Sequence, residues 1–352
     1  MQSPFDLFGP LLDAVQSQGI FGDGKAFVDA RPKRPVDAIM LDFAGLDSSN
    51  EGDLLAFVHA NFVLPVVEAQ PWPAHASSSL SEHIRATWSL LARTAKQSTG
   101  GCSSLSVGHP HVAPGGRFRE LYYWDSFFTM LGLLRDGEIE LATGMVDTMT
   151  DLIERFDHIP NGTRTYYLGR SQPPLYHMMV NLLEGSRPHT SGRRLAAMKS
   201  EHAWWMRGSA DLAPGTADFR VAKLKDGSVL NRYWDPHSRP RDESWREDVA
   251  TAALGKRPRE EVFRDLRAGA ESGWDFSSRW FDGSDLSTIR TTTILPADLN
   301  AFLYSLEMAI AATGDQDSEH FLELAGRRLV AMHSNLWSIE HGCFSDFDLT
   351  SE

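Results

Sequence analysis

The feature that most limits the fold of this chain is a helix-length run with almost no polar side. Residues 124–134 read WDSFFTMLGLL, and such a run is stable only when neighbours cover it on most sides. Residues 175–183 have the same character and follow Pro173-Pro174, which suit a first helical turn. Each run is followed by a more polar, two-faced helix. Residues 138–156 set Ile139, Val146, Met149 and Ile153 against Glu138, Glu140, Asp147, Asp151 and Glu154, and residues 193–205 are again more polar. Long loop, apolar helix, short link and amphipathic helix therefore recur in order. Inner helices buried all round, with outer helices showing one face to water, predict an all-α ring of hairpins, an α/α toroid. No fixed sequence period accompanies the pattern, which excludes the common solenoids.

The rest of the chain fits around that ring. Residues 1–50 are rich in Gly, Pro and Asp, with short apolar pieces at Phe5, Leu7, Phe8, Leu11 and Leu12. They read as an N-terminal arm packed on a body made of residues 51–352. Residues 29–35 read as extended loop, 54–62 as a short helix and 70–73 as a Pro-rich connector. Ser79 and Glu82 form a capping box for a helix with Leu80, Ile84, Trp88 and Leu91 on one face, running toward Gly100-Gly101. Residues 219–234 alternate around Asp226-Gly227 and predict a two-stranded hairpin. Helices are predicted at 245–255, 259–270, 298–312 and 315–336, about ten in all, before a strand-like ending.

A net charge of −13 lacks the basic footprint that nucleic acid or an anionic membrane surface requires. No apolar run reaches the roughly 18 residues of a spanning helix. The opening MQSPFDLFGPLLDAV has neither a basic start nor a long apolar stretch, so it does not read as a secretory leader. Cys102 and Cys343 read as unpaired thiols. His109 and His111 have no third ligand in register, and no Gly-Lys-Ser/Thr follows Gly115-Gly116. Neither a metal nor an organic cofactor is expected. Ten tryptophans in an acidic chain suggest flat faces of the kind on which sugar rings stack.

Four loops carry the candidate chemistry. The first holds Arg117, Trp124 and Asp125, the second Asn161, Arg170 and Gln172, the third Arg239, Arg241, Glu243 and Trp245. In each, hydrogen-bonding side chains stand beside aromatics just before a helix, and such loops on one rim would converge on a central pocket suited to hydroxyl-rich ligands. The fourth, residues 271–280, places Asp275 among Trp274, Phe276 and Trp280. Apolar surroundings disfavour the charged carboxylate and raise its pKa, as a general acid requires. On composition alone Asp275 reads equally as a helix cap, Arg117 and Arg119 as surface ion pairs, and Asn161 as a turn residue. Glu271 and Asp282 read as solvated loop positions.

At these residues the sequence resembles α,α-trehalases of glycoside hydrolase family 37. PGGRFRELYYWDSF (114–127) departs from the family pattern only in Phe127 for Tyr, and IPNGTRTYYLGRSQPP (159–174), LNRYWD (230–235), ESWREDVA (243–250) and SGWDFSSRW (272–280) resemble the same family. The resemblance runs from about residue 5 to the end of the chain. It implies an (α/α)6 barrel, α,α-trehalose as substrate and hydrolysis to two glucose molecules with inversion. It implies Asp275 as general acid, with substrate contacts from Arg117, Trp124, Asp125, Asn161, Arg170, Ser171, Gln172, Arg241, Glu243 and Gly273. The family commonly reads Arg-Pro-Glu-Ser-Trp where this chain has Arg241-Asp242-Glu243-Ser244-Trp245. The family's C-terminal general base, its second signature and its Gly-rich closing loop have no counterpart in the sequence, so the expectation is a toroid incomplete at its C-terminus with apolar surface uncovered. The alternative is a carbohydrate-binding fragment without catalysis. A complete version is expected to be a monomer. The resemblance implies a bacterial enzyme, of the cytoplasm or of the periplasm. The literal reading here is cytoplasmic, and periplasmic if a leader preceded these residues.

Overall fold

The computed structural model describes residues 1–65, 79–95, 97–98, 100–113, 115, 117–185, 192–283 and 285–350. The Pro-rich connector at 70–73, together with Pro114 and Gly116 of the first motif, lies outside them. Thirteen α-helices occur among the described residues: α1 (Pro4–Gln18), α2 (Lys25–Val28), α3 (Val36–Phe43), α4 (Glu51–Asn61), α5 (Leu80–Leu91), α6 (Tyr123–Asp136), α7 (Ile139–Phe156), α8 (Tyr176–Glu184), α9 (Gly192–Trp205), α10 (Trp245–Leu254), α11 (Arg259–Glu271), α12 (Ala297–Ala311) and α13 (Ser318–Asn335).

The predicted hairpin order is present. Helix α6 packs on α7 and α8, α7 on α8 and α9, α9 on α12, α12 on α13, and α10 on α11. The architecture is the all-α toroidal one, with only short sheets between helices. One apolar core runs through α6 to α13 and gathers Met130, Met149, Tyr176, Trp205, Leu266 and Leu303. Only half of the expected burial of α6 is observed: Tyr123, Ser126, Met130 and Leu133 are buried, but Phe128 and Leu131 are exposed. Helix α5 has its Ser79–Glu82 capping box, yet it ends at Leu91 rather than near Gly100, and Leu80 points to solvent.

Two further expectations are corrected. The first 61 residues contain four helices where sequence suggested one. Their signal is hidden because the helices are short and because α1 contains Pro10 and a non-helical Phe8. Their own core, built on Leu11, Leu12, Phe27, Ile39 and Leu54, is closed by Tyr166, Tyr167 and Trp245 of the main body. The predicted hairpin is a three-stranded antiparallel sheet, Thr216–Asp218, Val221–Lys223 and Val229–Asn231, turning at Gly227. It packs on α12 and α13 through Ala222, Leu224 and Leu230. The closing alternation is also strand: Phe347–Asp348 pairs with Ile294–Leu295.

Glu201 shows how the hairpins are tied together. Tyr123 of α6 donates its hydroxyl to Glu201 Oε1 of α9 at 2.6 Å and accepts the backbone N–H of Tyr176 of α8 at 2.8 Å. Among the described residues no cation pairs with this fully buried carboxyl, and burial pushes its pKa up to about 8 from 4.5. The folded state therefore holds the proton more tightly than the unfolded chain does. The stability this represents is present below about pH 4.5 and is lost as pH rises toward 8. Denaturant unfolding of the chain and of Glu201→Gln at pH 5 and pH 8 should show the variant gaining about 3 kcal/mol relative to the parent over that interval.

Candidate active site

The site begins with the 159–172 turn, hydrogen-bonded through its backbone to the start of α6. Asn161 N–H donates to the Arg170 carbonyl at 2.9 Å, and the Asn161 carbonyl accepts from Tyr123 N–H at 3.2 Å, so the turn at 159–172 closes on itself and on the start of α6. The Asn161 side chain extends the link by donating to the carbonyls of Ser171 and Ala270, both at 3.1 Å. Gln172 Oε1 accepts Trp124 N–H, one of the free donors of the first turn of α6, at 3.0 Å. Behind these contacts, Glu271 receives Arg220, Ser171 N–H and Trp234 N–H. Sequence read Glu271 as a solvated loop residue, but it is wholly buried at the end of α11, because Arg220 and two backbone donors satisfy its charge.

These contacts enclose a cavity of about 360 Å³. Ten of the eleven expected site residues line it: Arg117, Trp124, Asp125, Asn161, Arg170, Gln172, Arg241, Glu243, Gly273 and Asp275. Ser171 does not. It is buried behind the wall, where its hydroxyl donates to the Ile159 carbonyl at 2.6 Å. Arg239 and Trp245 of the third loop also turn away, toward α1: Arg239 reaches Asp6, and Trp245 donates to Asp13 and stacks on Phe5. Sequence reasoning missed Lys25, Phe118, Tyr122, Tyr167, Ser244 and Ala270, which also line the cavity. Four of these, Phe118, Tyr122, Tyr167 and Ser244, fall inside the quoted motifs. Lys25 had no local signal, since the packing of α2 alone brings it there.

Charge sets the chemistry of the wall. Arg170 is fully buried, with Nη2 on Glu243 Oε1 at 2.5 Å, and Arg241 forms a fork on Asp248 with Nη2–Oδ1 at 2.6 Å. Asp235 takes Arg267 at 2.9 Å and lies 3.8 Å from Arg170 Nη1. Burial opposes the charges of Glu243 and Asp235, but the arginines outweigh it and keep both carboxyls below the usual range. Three cations thus answer three anions, and Asp275 is left over, with no ion pair among the described residues. Enclosure by protein raises its pKa; Arg241 opposes without reversing the shift. The expected direction holds, but the aromatic setting is only partial. Trp274 is half exposed, Trp280 is buried with its indole N–H on the Trp274 carbonyl, and Phe276 lies under Arg241. Asp125 is also raised by burial.

The lining residues keep unused hydrogen-bonding capacity. Arg170 Nε and Nη1 and Glu243 Oε2 are buried without a hydrogen-bond partner among the described residues, which costs about 1–3 kcal/mol per group and favours a polar ligand. Among the described residues there is no cluster of three or more potential metal ligands, and no helix is long and apolar enough to cross a membrane. His111 Nδ1 turns to the His109 carbonyl, and both cysteines are free thiols.

Gly273 holds Trp124 in the wall. Its φ is +71°, and a Cβ there would lie 2.6 Å from two carbons of the Trp124 indole. Gly273→Ala should therefore lose roughly 1–3 kcal/mol of unfolding free energy. Crystallographic or fluorescence comparison should find Trp124 displaced; an unmoved indole with unchanged stability would contradict this geometry.

The family model described as Trehalase matches residues 19–352. Among solved structures, neutral trehalase Nth1 from Saccharomyces cerevisiae is similar at 24% identity with a TM-score of 0.53. That match covers 77% of this chain and 55% of the yeast chain, so the present chain spans little more than half the length of that structure. The fold is shared with that enzyme, and by the family match this chain belongs to the trehalase family.

Proposed function

We propose that the cavity binds α,α-trehalose and that its chemistry is hydrolysis to two glucose molecules with inversion, Asp275 acting as general acid. The observation that carries this reading is Asp275 in the cavity wall, with no ion pair among the described residues and its pKa raised by enclosure. A carboxyl that keeps its proton can give it to the bridging oxygen as the glycosidic bond breaks. Positive charge then develops at the anomeric carbon, and water adds from the opposite face, passing its proton to a base. Arg117, Arg170 and Arg241 orient hydroxyls. Asp125, Asn161, Gln172 and Glu243 supply further acceptors and donors, and Trp124 beside Gly273 offers a flat face to a sugar ring. Ser171 contributes through the backbone it anchors. No metal or organic cofactor enters this chemistry.

A second reading has support of its own. Of the other carboxylates lining the cavity, Glu243 is held by Arg170 and Asp125 is engaged by Gln172. An inverting reaction needs a base about 6.5–9.5 Å from the acid. With these two groups engaged, the alternative is sugar binding without turnover.

Glucose release from trehalose by the purified 352-residue chain, alongside calorimetric binding, separates the two. On the first reading the chain releases glucose, and Asp275→Asn should lower that release by about 10²–10⁴-fold with affinity nearly intact. Activity surviving in that variant would overturn the acid assignment, whereas binding without release in the parent would favour the second reading. The pH profile gives an independent check. The acid must be protonated, so rate falls as pH rises through the Asp275 pKa. Arg241 depresses that pKa, so Arg241→Gln should move the alkaline limb upward even as affinity weakens.

A further inference from the structure

The turn that precedes α2 reaches the cavity from the first 25 residues. Asp23 Oδ1 accepts from Arg117 Nε at 2.9 Å and Nη2 at 2.8 Å, and also from the backbone N–H of Lys25 at 3.0 Å. The turn itself is held in place. Gln16 Nε2 donates to the carbonyls of both Gly24 and Asp242 at 2.8 Å, joining it to the loop that bears Glu243. A Cβ on Gly24 would lie 2.4 Å from the Glu243 carbonyl oxygen, so no side chain could stand there without a shift. Arg117 lies over the Phe118 ring at 5.4 Å. A second cavity of about 420 Å³, lined by Asp23, Gly24 and Glu247, shares Arg117, Glu243 and Ser244 with the first.

We infer that Asp23 is a positioning residue for the sugar site: it clamps Arg117 along its Nε–Nη2 edge and leaves the Nη1 donors for a hydroxyl-rich ligand. Without the clamp, Arg117 is a long exposed side chain with many rotamers, and ordering it at the moment of binding costs affinity. The same aspartate fills one hydrogen-bonding edge of the guanidinium, so the arginine meets a ligand through its remaining edge. The three unused donors, two on Nη1 and the outer one on Nη2, lie on a fixed plane and suit vicinal hydroxyls. The pair is open to solvent, with side-chain exposures of 46% for Arg117 and 40% for Asp23, so it contributes little to stability. Its removal should leave the fold intact, which separates a binding role from a structural one.

The inference rests on the sugar-binding reading, and a double-mutant cycle tests both on the full chain. Trehalose affinity is measured by calorimetry for the parent, Asp23→Ala, Arg117→Ala and the double variant, with thermal unfolding of each. Asp23→Ala should weaken binding about five- to tenfold at unchanged stability. It should have no further effect once Arg117 is absent, and Asp23→Glu should recover part of the loss. Unchanged affinity in Asp23→Ala, or an equal loss in the Arg117→Ala background, would overturn the inference. A parent chain that binds no trehalose would instead sink the functional reading. The Arg117 Nε–H resonance then decides the clamp alone: slow exchange that is lost in Asp23→Ala supports it, and no change refutes it.

Discussion

Arg170 is the group on which the site wall depends. It is a fully buried cation between Glu243 and Asp235, lying over the Tyr167 ring. An isolated buried guanidinium would cost several kcal/mol, so it is tolerable only when its partners are already in place. Those partners come from different segments. Glu243 stands just before α10, Asp235 follows the three-stranded sheet, and Asp235 in turn needs Arg267 of α11. Loop positions 170, 235 and 243 are therefore coupled, and none of them is stable in its place alone.

The same balance explains why Asp275 differs from its neighbours. Arg170, Arg241 and Arg267 are each taken by a carboxylate, and only residual attraction from Arg241 and, more weakly, Arg170 reaches Asp275. With no cation paired to it among the described residues, burial holds the Asp275 carboxyl above its usual range, as it does Asp125. The second anionic cluster lies deeper. Lys25 and Arg164 hold Asp29 and Glu120, with Tyr166 donating to Asp29. Tyr122 then joins Glu120 to Tyr167, so the helices of the first 61 residues are wired to the cavity rather than merely packed beneath it.

Much of this was legible. The near-apolar runs at 124–134 and 175–183 and the two-faced helices after them are long, and their period is strong enough to predict a ring of hairpins. Most of the cavity's lining residues were legible because they sit in dense motifs of unusual composition. The failures have physical causes. Helix α6 looked buried all round because hydropathy carries no direction, yet Phe128 and Leu131 face outward. The N-terminal helices were hidden by Gly9, Pro10 and short lengths. Glu271 looked solvated because a lone acid in a loop-like stretch gives no hint of Arg220, which lies 51 residues earlier.

The sequence by itself determined the helical class, the hairpin order and most of the polar groups that line the cavity, because periodicity and residue type are local properties of the chain. Only the tertiary structure decided which of those groups share a cavity, which are spent on one another, and which have their pKa raised by burial. It turned Ser171 into a backbone anchor, gave Arg239 to Asp6, and brought Asp23 and Lys25 to a wall that lies about a hundred residues further along the chain. Burial and charge pairing depend on neighbours distant in sequence, and a pKa is the sum over those neighbours rather than a property of the residue.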